Sequence, residues 1–331
     1  MPIIGGTMAP KKFKLTQERP YYKPFSYQWA YDYWLQHEQS HWLFTEVSMQ
    51  DDVKDWSKSL SESEKFFLTN IFRFFTQGDL DVAGGYVKNY LPYFPQPEIR
   101  MMLCGFAARE AIHVAAYSHL IETLGMPERI YNEFSEYAEM KEKHEFFDEF
   151  HAMDRSCVAQ QIAVFSAFTE GLQLFSSFAM LLNFPRHGKM KGMGQIVSWS
   201  LIDESLHCEG MIKLFRTHIE ENRHIWKDEL KSELYSIAEK MVELEDKFID
   251  LSFSMGDMEN LTAEDIKQYI RYICDRRLIS MGLKGIYKIK KNPLTWIDEM
   301  INTPIHGNFF ETTITDYSKG ALQGSWGDVW A

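Results

Sequence analysis

Ala107-Ala108-Arg109-Glu110-Ala111-Ile112-His113 and Leu201-Ile202-Asp203-Glu204-Ser205-Leu206-His207 carry the same Glu-x-x-His spacing, and each copy follows a lone carboxylate, Asp79 or Glu170, about thirty residues upstream. Within each motif Glu and His stand at i and i+3, so both side chains leave one face of a helical turn. Asp79 and Glu110 lie nearly equidistant from a proline-rich break, Asn89-Tyr90-Leu91-Pro92-Tyr93-Phe94-Pro95-Gln96-Pro97. Equal rise along two antiparallel helices brings them to the same height. Glu170 and Glu204 repeat this around Phe184-Pro185-Arg186-His187-Gly188. The expectation is an all-α bundle whose four core helices direct Asp79, Glu110, His113, Glu170, Glu204 and His207 at a dinuclear metal site.

One Glu-x-x-His alone is common on solvated helix faces, but these charges sit in apolar helices. Glu110 and His113 lie among Ala107, Ala108, Ala111, Ile112, Ala115 and Ala116, and Glu170 lies within Phe165-Ser166-Ala167-Phe168-Thr169-Glu170-Gly171-Leu172. Unpaired buried carboxylates are costly. Four carboxylates and two neutral imidazoles balance two divalent ions, which in two-metal sites stand about 3.5–4 Å apart. Oxygen-rich ligation favours iron or manganese over zinc. The spacing does not separate iron from manganese.

A chain of 331 residues with 45% hydrophobic, 15% aromatic and 25% charged content suits one long helical bundle with a large core. The net charge of −12, without a basic stripe, argues against a nucleic acid partner. Cys104, Cys157, Cys208 and Cys274 form no Cys-x-x-Cys and read as reduced core thiols of a cytosolic protein. No secretory leader is evident, and no apolar run approaches the roughly 18 residues of a spanning helix, so a soluble, cytoplasmic protein without membrane contact is expected.

Residues 1–23 read as an extended arm, 24–307 as the helical domain, and 308–331 as a flexible tail with Tyr317, Trp326 and Trp330 as aromatic anchors. Helices are expected at about 26–39, 98–124, 128–152, 154–183, 191–220, 225–255 and 262–287. Thr45–Asp52 reads as a loop, and Ser61-Glu62-Ser63-Glu64 as the capping box of the helix that carries Asp79. No alternating strand pattern is evident.

With these positions in place, the chain resembles, over essentially its whole length, the radical-generating small (β) subunit of class I ribonucleotide reductase, a member of the ferritin-like superfamily. The resemblance implies that Asp79, Glu110, His113, Glu170, Glu204 and His207 hold two iron or manganese ions per chain. It places the family's radical tyrosine at Tyr117, one helical turn beyond His113. It places the electron-transfer tryptophan at Trp42, in His41-Trp42-Leu43-Phe44, and its linking aspartate at Asp203. Glu311 and Tyr317 reproduce the tail glutamate and relay tyrosine. The implied activity is reduction of ribonucleoside diphosphates or triphosphates in company with a large (α) subunit, docked through the C-terminal tail, by a small-subunit homodimer. The chain itself has no phosphate-cradling glycine-rich loop.

One position departs from the family. Ser200, four residues before Glu204, stands where members with a stable tyrosyl radical have an apolar pocket residue, which leaves the stored equivalent on Tyr117 or on the metals. Two other classes use similar cages: a stand-alone Fe/Fe or Mn/Fe oxidase or monooxygenase, which needs no tail tyrosine, and a ferritin-like storage protein, which needs neither Trp42 nor Tyr317.

Overall fold

A computed structural model describes residues 13–151 and 157–302. Residues up to Pro293 form one compact unit and Leu294 onward a second, of which the described part holds helix α11, Thr295–Asn302. In the first unit the long helices are α1 (Gln28–Gln39), α3 (Glu62–Gly85), α4 (Pro97–Thr123), α5 (Ala138–His151), α8 (Lys191–Glu221), α9 (Asp228–Ser252) and α10 (Ala263–Met281). A continuous helical run comprises α6 (Val158–Ile162), a wider π-helical stretch (Ala163–Gln173) and α7 (Leu174–Arg186). Among the described residues β structure is limited to an isolated bridge between Met258 and Leu261, as the expected all-α class requires.

Helix α3 starts at the expected capping box: the Glu64 N–H donates to Ser61 Oγ at 3.3 Å and the Ser61 N–H donates to Glu64 Oε2 at 2.8 Å. It runs on through a π turn, Tyr86–Tyr90, before the prolines, and Pro97 opens α4 at its first turn. Helices α3, α4 and α8 and the π-helical run pack together around a core that includes Phe67, Phe75, Phe106, Tyr86 and Tyr90, each fully shielded from solvent.

Several expected boundaries shift. Residues 128–136 form two short 3-10 turns, Glu128–Tyr131 and Glu133–Glu136, because Asn132 (φ −119°, ψ −8°) breaks the register; α5 begins only at Ala138. The run expected at 154–183 widens into π-helix at its centre, and α7 passes through Pro185 to end at Arg186, where Gly188 (φ +78°) supplies the left-handed turn. The expected 45–52 loop contains a 3-10 turn, Phe44–Glu46, and at Gln50 enters a short helix, α2 (Gln50–Lys54). The fully buried Asp52 of α2 caps α8 by accepting the Gly192 N–H at 2.8 Å and the Met193 N–H at 2.7 Å. The described end of the expected arm is docked rather than free: Leu15 is fully buried, its N–H donates to Glu221 Oε2, and Arg19 pairs with Glu98.

Two further expectations are corrected. Cys208 and Cys274 are buried, but Cys104 is exposed and Cys157 half-buried, because Cys104 falls on the outward side of α4. The run Val158–Arg186 does have the length and mean hydropathy, 1.2 over 18 residues, of a spanning segment, yet that whole window is buried inside the bundle. Its apolarity is that of a core helix wrapped on all sides by others.

Candidate metal centre

Helix α3 presents Asp79, α4 presents Glu110 and His113, the π-helical stretch presents Glu170, and α8 presents Glu204 and His207. All six are at most 1% exposed. Donor atoms of Asp79, Glu110 and His113 lie within 4.8 Å of one another, as do those of Glu110, Glu170, Glu204 and His207. Glu110 belongs to both groups. Glu204 also reaches both histidines, with Oε1 at 3.0 Å from His113 Nδ1 and Oε2 at 3.4 Å from His207 Nδ1. Two carboxylates, Glu110 and Glu204, therefore stand between the two imidazoles.

The donor set fits a metal pair. Both oxygens of Asp79, Glu110 and Glu204, Oε2 of Glu170 and Nδ1 of both histidines are buried without a hydrogen-bond partner of proper geometry, although Glu110 Oε1 lies only 2.9 Å from His207 Nδ1. Lone pairs crowded together yet not bonded to each other face a common point, and a native core does not leave so many polar atoms unsatisfied without a cation to take them.

Without cations the cage gathers protons. Burial, then the charge of Glu110, pushes the Asp79 carboxyl well above the carboxylate range, and burial raises Glu170 to about 8. Burial also works to raise Glu110, but the two imidazoles that face it, His113 and then His207, outweigh it and hold Glu110 at about 2. Both histidines are lifted above their ordinary value against the cost of burial, His113 by Asp203 and Glu110, and His207 by Glu110 and Glu170. Imidazolium here plays the part that a metal ion would take.

The outer nitrogens are also engaged. His113 Nε2 lies 3.2 Å from Asp203 Oδ2, and that oxygen accepts the Trp42 indole N–H at 2.7 Å. Trp42 stacks on His113, with ring centroids 5.8 Å apart. His207 Nε2 lies 3.1 Å from His37 Nε2, and His37 is held neutral, at about 2, by burial and then by His207. With Nε2 occupied in this way, each ligand histidine is left with Nδ1 for the cage.

Tyr117 is buried, its ring stacked on Phe75 with centroids 4.5 Å apart. Burial, then the neighbouring Asp79 charge, drives its phenol far above the ordinary range; the nearby Ser200 hydroxyl tempers the shift, though neither oxygen has a partner at hydrogen-bond geometry. The structure thus brings together eight of the expected site residues, the six ligands with Trp42 and Asp203, and sets Tyr117 in the core beside them. Glu311 and Tyr317 lie outside the described residues.

Three contributors were not foreseen: His37; Arg109, whose guanidinium meets the Asp203 carboxylate at 3.1 Å; and Tyr86, whose hydroxyl donates to Glu170 Oε1 at 2.8 Å. Arg109 left one trace in the sequence, a charge immediately before the first motif opposite in sign to Asp203 before the second. The Glu170 segment is pinned from α10, where Arg277 Nε donates to the Gly171 carbonyl at 2.7 Å.

A helical bundle whose core directs two Glu-x-x-His pairs and two further carboxylates at a shared point defines a dimetal carboxylate protein of the ferritin-like class. Within that class the chain belongs to the ribonucleotide reductase small-chain family, whose sequence profile matches residues 19–293. It is 51% identical to a probable ribonucleoside-diphosphate reductase small subunit of Invertebrate iridescent virus 3, over 97% of this chain and 90% of that protein. The β subunit of ribonucleoside-diphosphate reductase from Chlamydia pneumoniae is 32% identical over 89% of this chain and 88% of its own length. Among solved structures, the ribonucleotide reductase R2 subunit from Clostridium botulinum matches with a TM-score of 0.78 and 25% identity, covering 83% of this chain and 88% of that one.

Proposed function

We propose that this chain is the radical-generating small subunit of a ribonucleoside-diphosphate reductase, and that it stores one oxidising equivalent on Tyr117 and passes it through Trp42 to a large catalytic subunit. The observation that carries the relay is the shared Asp203 oxygen, which joins a ligand histidine to a buried tryptophan. A storage protein has no use for such a link. The diphosphate substrate follows from the names of the viral and chlamydial relatives.

Asp79, Glu110, His113, Glu170, Glu204 and His207 would hold two iron or manganese ions. When bound, such a pair supplies one-electron oxidising power drawn from an oxygen-derived oxidant. The protein's own part is to exclude water, hold the ligands and manage protons. Tyr117 is the group assigned to carry the oxidising equivalent, and a phenol buried against Phe75 is shielded from solvent reductants. Asp203 keeps the Trp42 N–H hydrogen-bonded while the indole passes charge. Residues 308–331, with Glu311 and Tyr317, are assigned to docking and to the last step of the relay by the resemblance to the family's tail glutamate and relay tyrosine. A cytoplasmic homodimer is the working assembly.

The test is ribonucleotide reduction in the presence of a large subunit. Full-length metal-loaded protein is expected to support it; Trp42→Phe is expected to keep its metal and lose at least a hundredfold in rate, about 2.7 kcal/mol in the barrier. Unchanged turnover by Trp42→Phe would exclude the relay. A chain that oxidises a hydrocarbon or lipid with no large subunit present would instead be the stand-alone oxidase.

A further inference from the structure

The guanidinium of Arg109 stands behind both ligand histidines at once. It is 2% exposed. Its Nη1 lies 3.1 Å from each oxygen of Asp203 and 3.1 Å from the Ser40 carbonyl, and its Nη2 donates to the His37 carbonyl at 3.1 Å. Asp203 is the outer partner of His113, and His37 is the outer partner of His207. One side chain on α4, immediately before Glu110, thus joins the C-terminal end of α1 and the segment leading to Trp42 to the second Glu-x-x-His helix.

The geometry of the carboxylate explains why this matters. Oδ2 of Asp203 faces three groups, the Trp42 indole, the His113 imidazole and Arg109 Nη1, and Oδ1 is met by Arg109 Nη1 as well. A carboxylate gripped at one oxygen only is free to turn about its terminal torsion, and any turn lengthens one of the two bonds at Oδ2. Nη1 of Arg109 meets both oxygens while Nη2 is held by the His37 carbonyl, so a planar guanidinium fixed at two nitrogens removes that freedom; a lysine, with one nitrogen, cannot grip Asp203 and the His37 carbonyl through separate nitrogens.

We propose that Arg109 is a positioning residue for the first link of the relay: it fixes Asp203 so that one oxygen serves Trp42 and His113 together, and it anchors the end of α1 that sets His37 against His207. The functional consequence rests on the relay reading above; the positioning itself does not.

The experiment uses full-length protein carrying 15N-labelled tryptophan, with the Trp42 indole signal assigned from Trp42→Phe. In the metal-free wild type the Trp42 indole N–H, buried and bonded to Asp203, is expected to exchange slowly with deuterium. In Arg109→Gln it is expected to exchange at least tenfold faster and to shift, with Arg109→Lys in between, because charge is restored without the second nitrogen that holds the His37 carbonyl. In metal-loaded Arg109→Gln the stored equivalent still forms, but its loss on mixing with large subunit and substrate is expected to slow at least tenfold. An unchanged Trp42 signal in Arg109→Gln overturns the proposal; if that variant does not fold, an unchanged signal in Arg109→Lys overturns it instead. Should Trp42→Phe retain full coupling, the relay reading fails, while the exchange data still decide whether Arg109 positions Asp203.

Discussion

The indole nitrogen of Trp42 and Oδ2 of Asp203 are 2.7 Å apart, and the same oxygen lies 3.2 Å from Nε2 of His113. This single atom joins the buried cage of carboxylates and histidines to an aromatic ring outside it. Asp203 is held below its ordinary value despite burial, because His113 and then Arg109 favour its charged form. We predict that Asp203→Asn, which leaves the Arg109 charge buried and unpaired, lowers the stability of the metal-free protein by about 3–5 kcal/mol in urea unfolding. A loss under ~1 kcal/mol would show that Arg109 finds other acceptors.

The protons gathered in the cage make a pH prediction. Asp79, Glu170, His113 and His207 all bind protons more tightly when folded than when unfolded. Each such contribution is present below the unfolded-state value and lost as pH rises through the folded one, which for Glu170 spans 4.5 to about 8. Glu110 runs the other way, contributing above 4.5 and losing that contribution as pH falls toward about 2. Metal-free protein should therefore lose stability between pH 5.5 and 8. Metal ions replace those protons, so metal uptake should release protons and tighten over the same range. Urea midpoints with and without metal at the two pH values check this; a metal-free midpoint that rises with pH is the contrary result.

Gly171 sits next to Glu170 in the π-helical stretch. A Cβ there would lie 2.6 Å from Cys208 Sγ and 2.8 Å from Arg277 Nε. Gly171→Ala is expected to cost about 1–3 kcal/mol in overpacking and, by displacing Glu170, to lower the metal content after reconstitution. Wild-type metal content together with wild-type stability would show that the segment relaxes freely.

Away from the cage, Lys143 is fully buried under Phe74 and Phe248, with Nζ 2.7 Å from Glu245 Oε2. Burial lowers the lysine and raises the glutamate from their ordinary values. We predict that Lys143→Met alone destabilises by about 3–5 kcal/mol, and that adding Glu245→Leu recovers most of the loss, because two paired desolvation costs disappear together. A double-mutant cycle in urea measures it, and additive losses would sink the idea.

How much of this was legible in the sequence follows from the range of the interactions involved. That Asp79, Glu110, His113, Glu170, Glu204 and His207 meet in the core could be read because i, i+3 spacing and fold-back around two breaks are local rules, and apolar neighbours such as Ala111 and Phe168 make exposed positions implausible for their charges. His37 and Tyr86 could not be read. Neither stands in a motif, and the role of each depends on a partner, His207 or Glu170, far along the chain. The π-helix at Ala163–Gln173 was also hidden, since an apolar run looks alike under α or π winding. Cys104 was misplaced because α4 is apolar enough on several sides to blur which face meets solvent.

Electron paramagnetic resonance of the metal-loaded protein after exposure to oxygen, compared with Tyr117→Phe at equal metal content, tests the central claim most directly. The account predicts a sharp organic doublet in the wild type that is absent from Tyr117→Phe. A doublet that survives the substitution, or a manganese multiline signal unaffected by it with no organic radical in the wild type, would contradict storage on Tyr117.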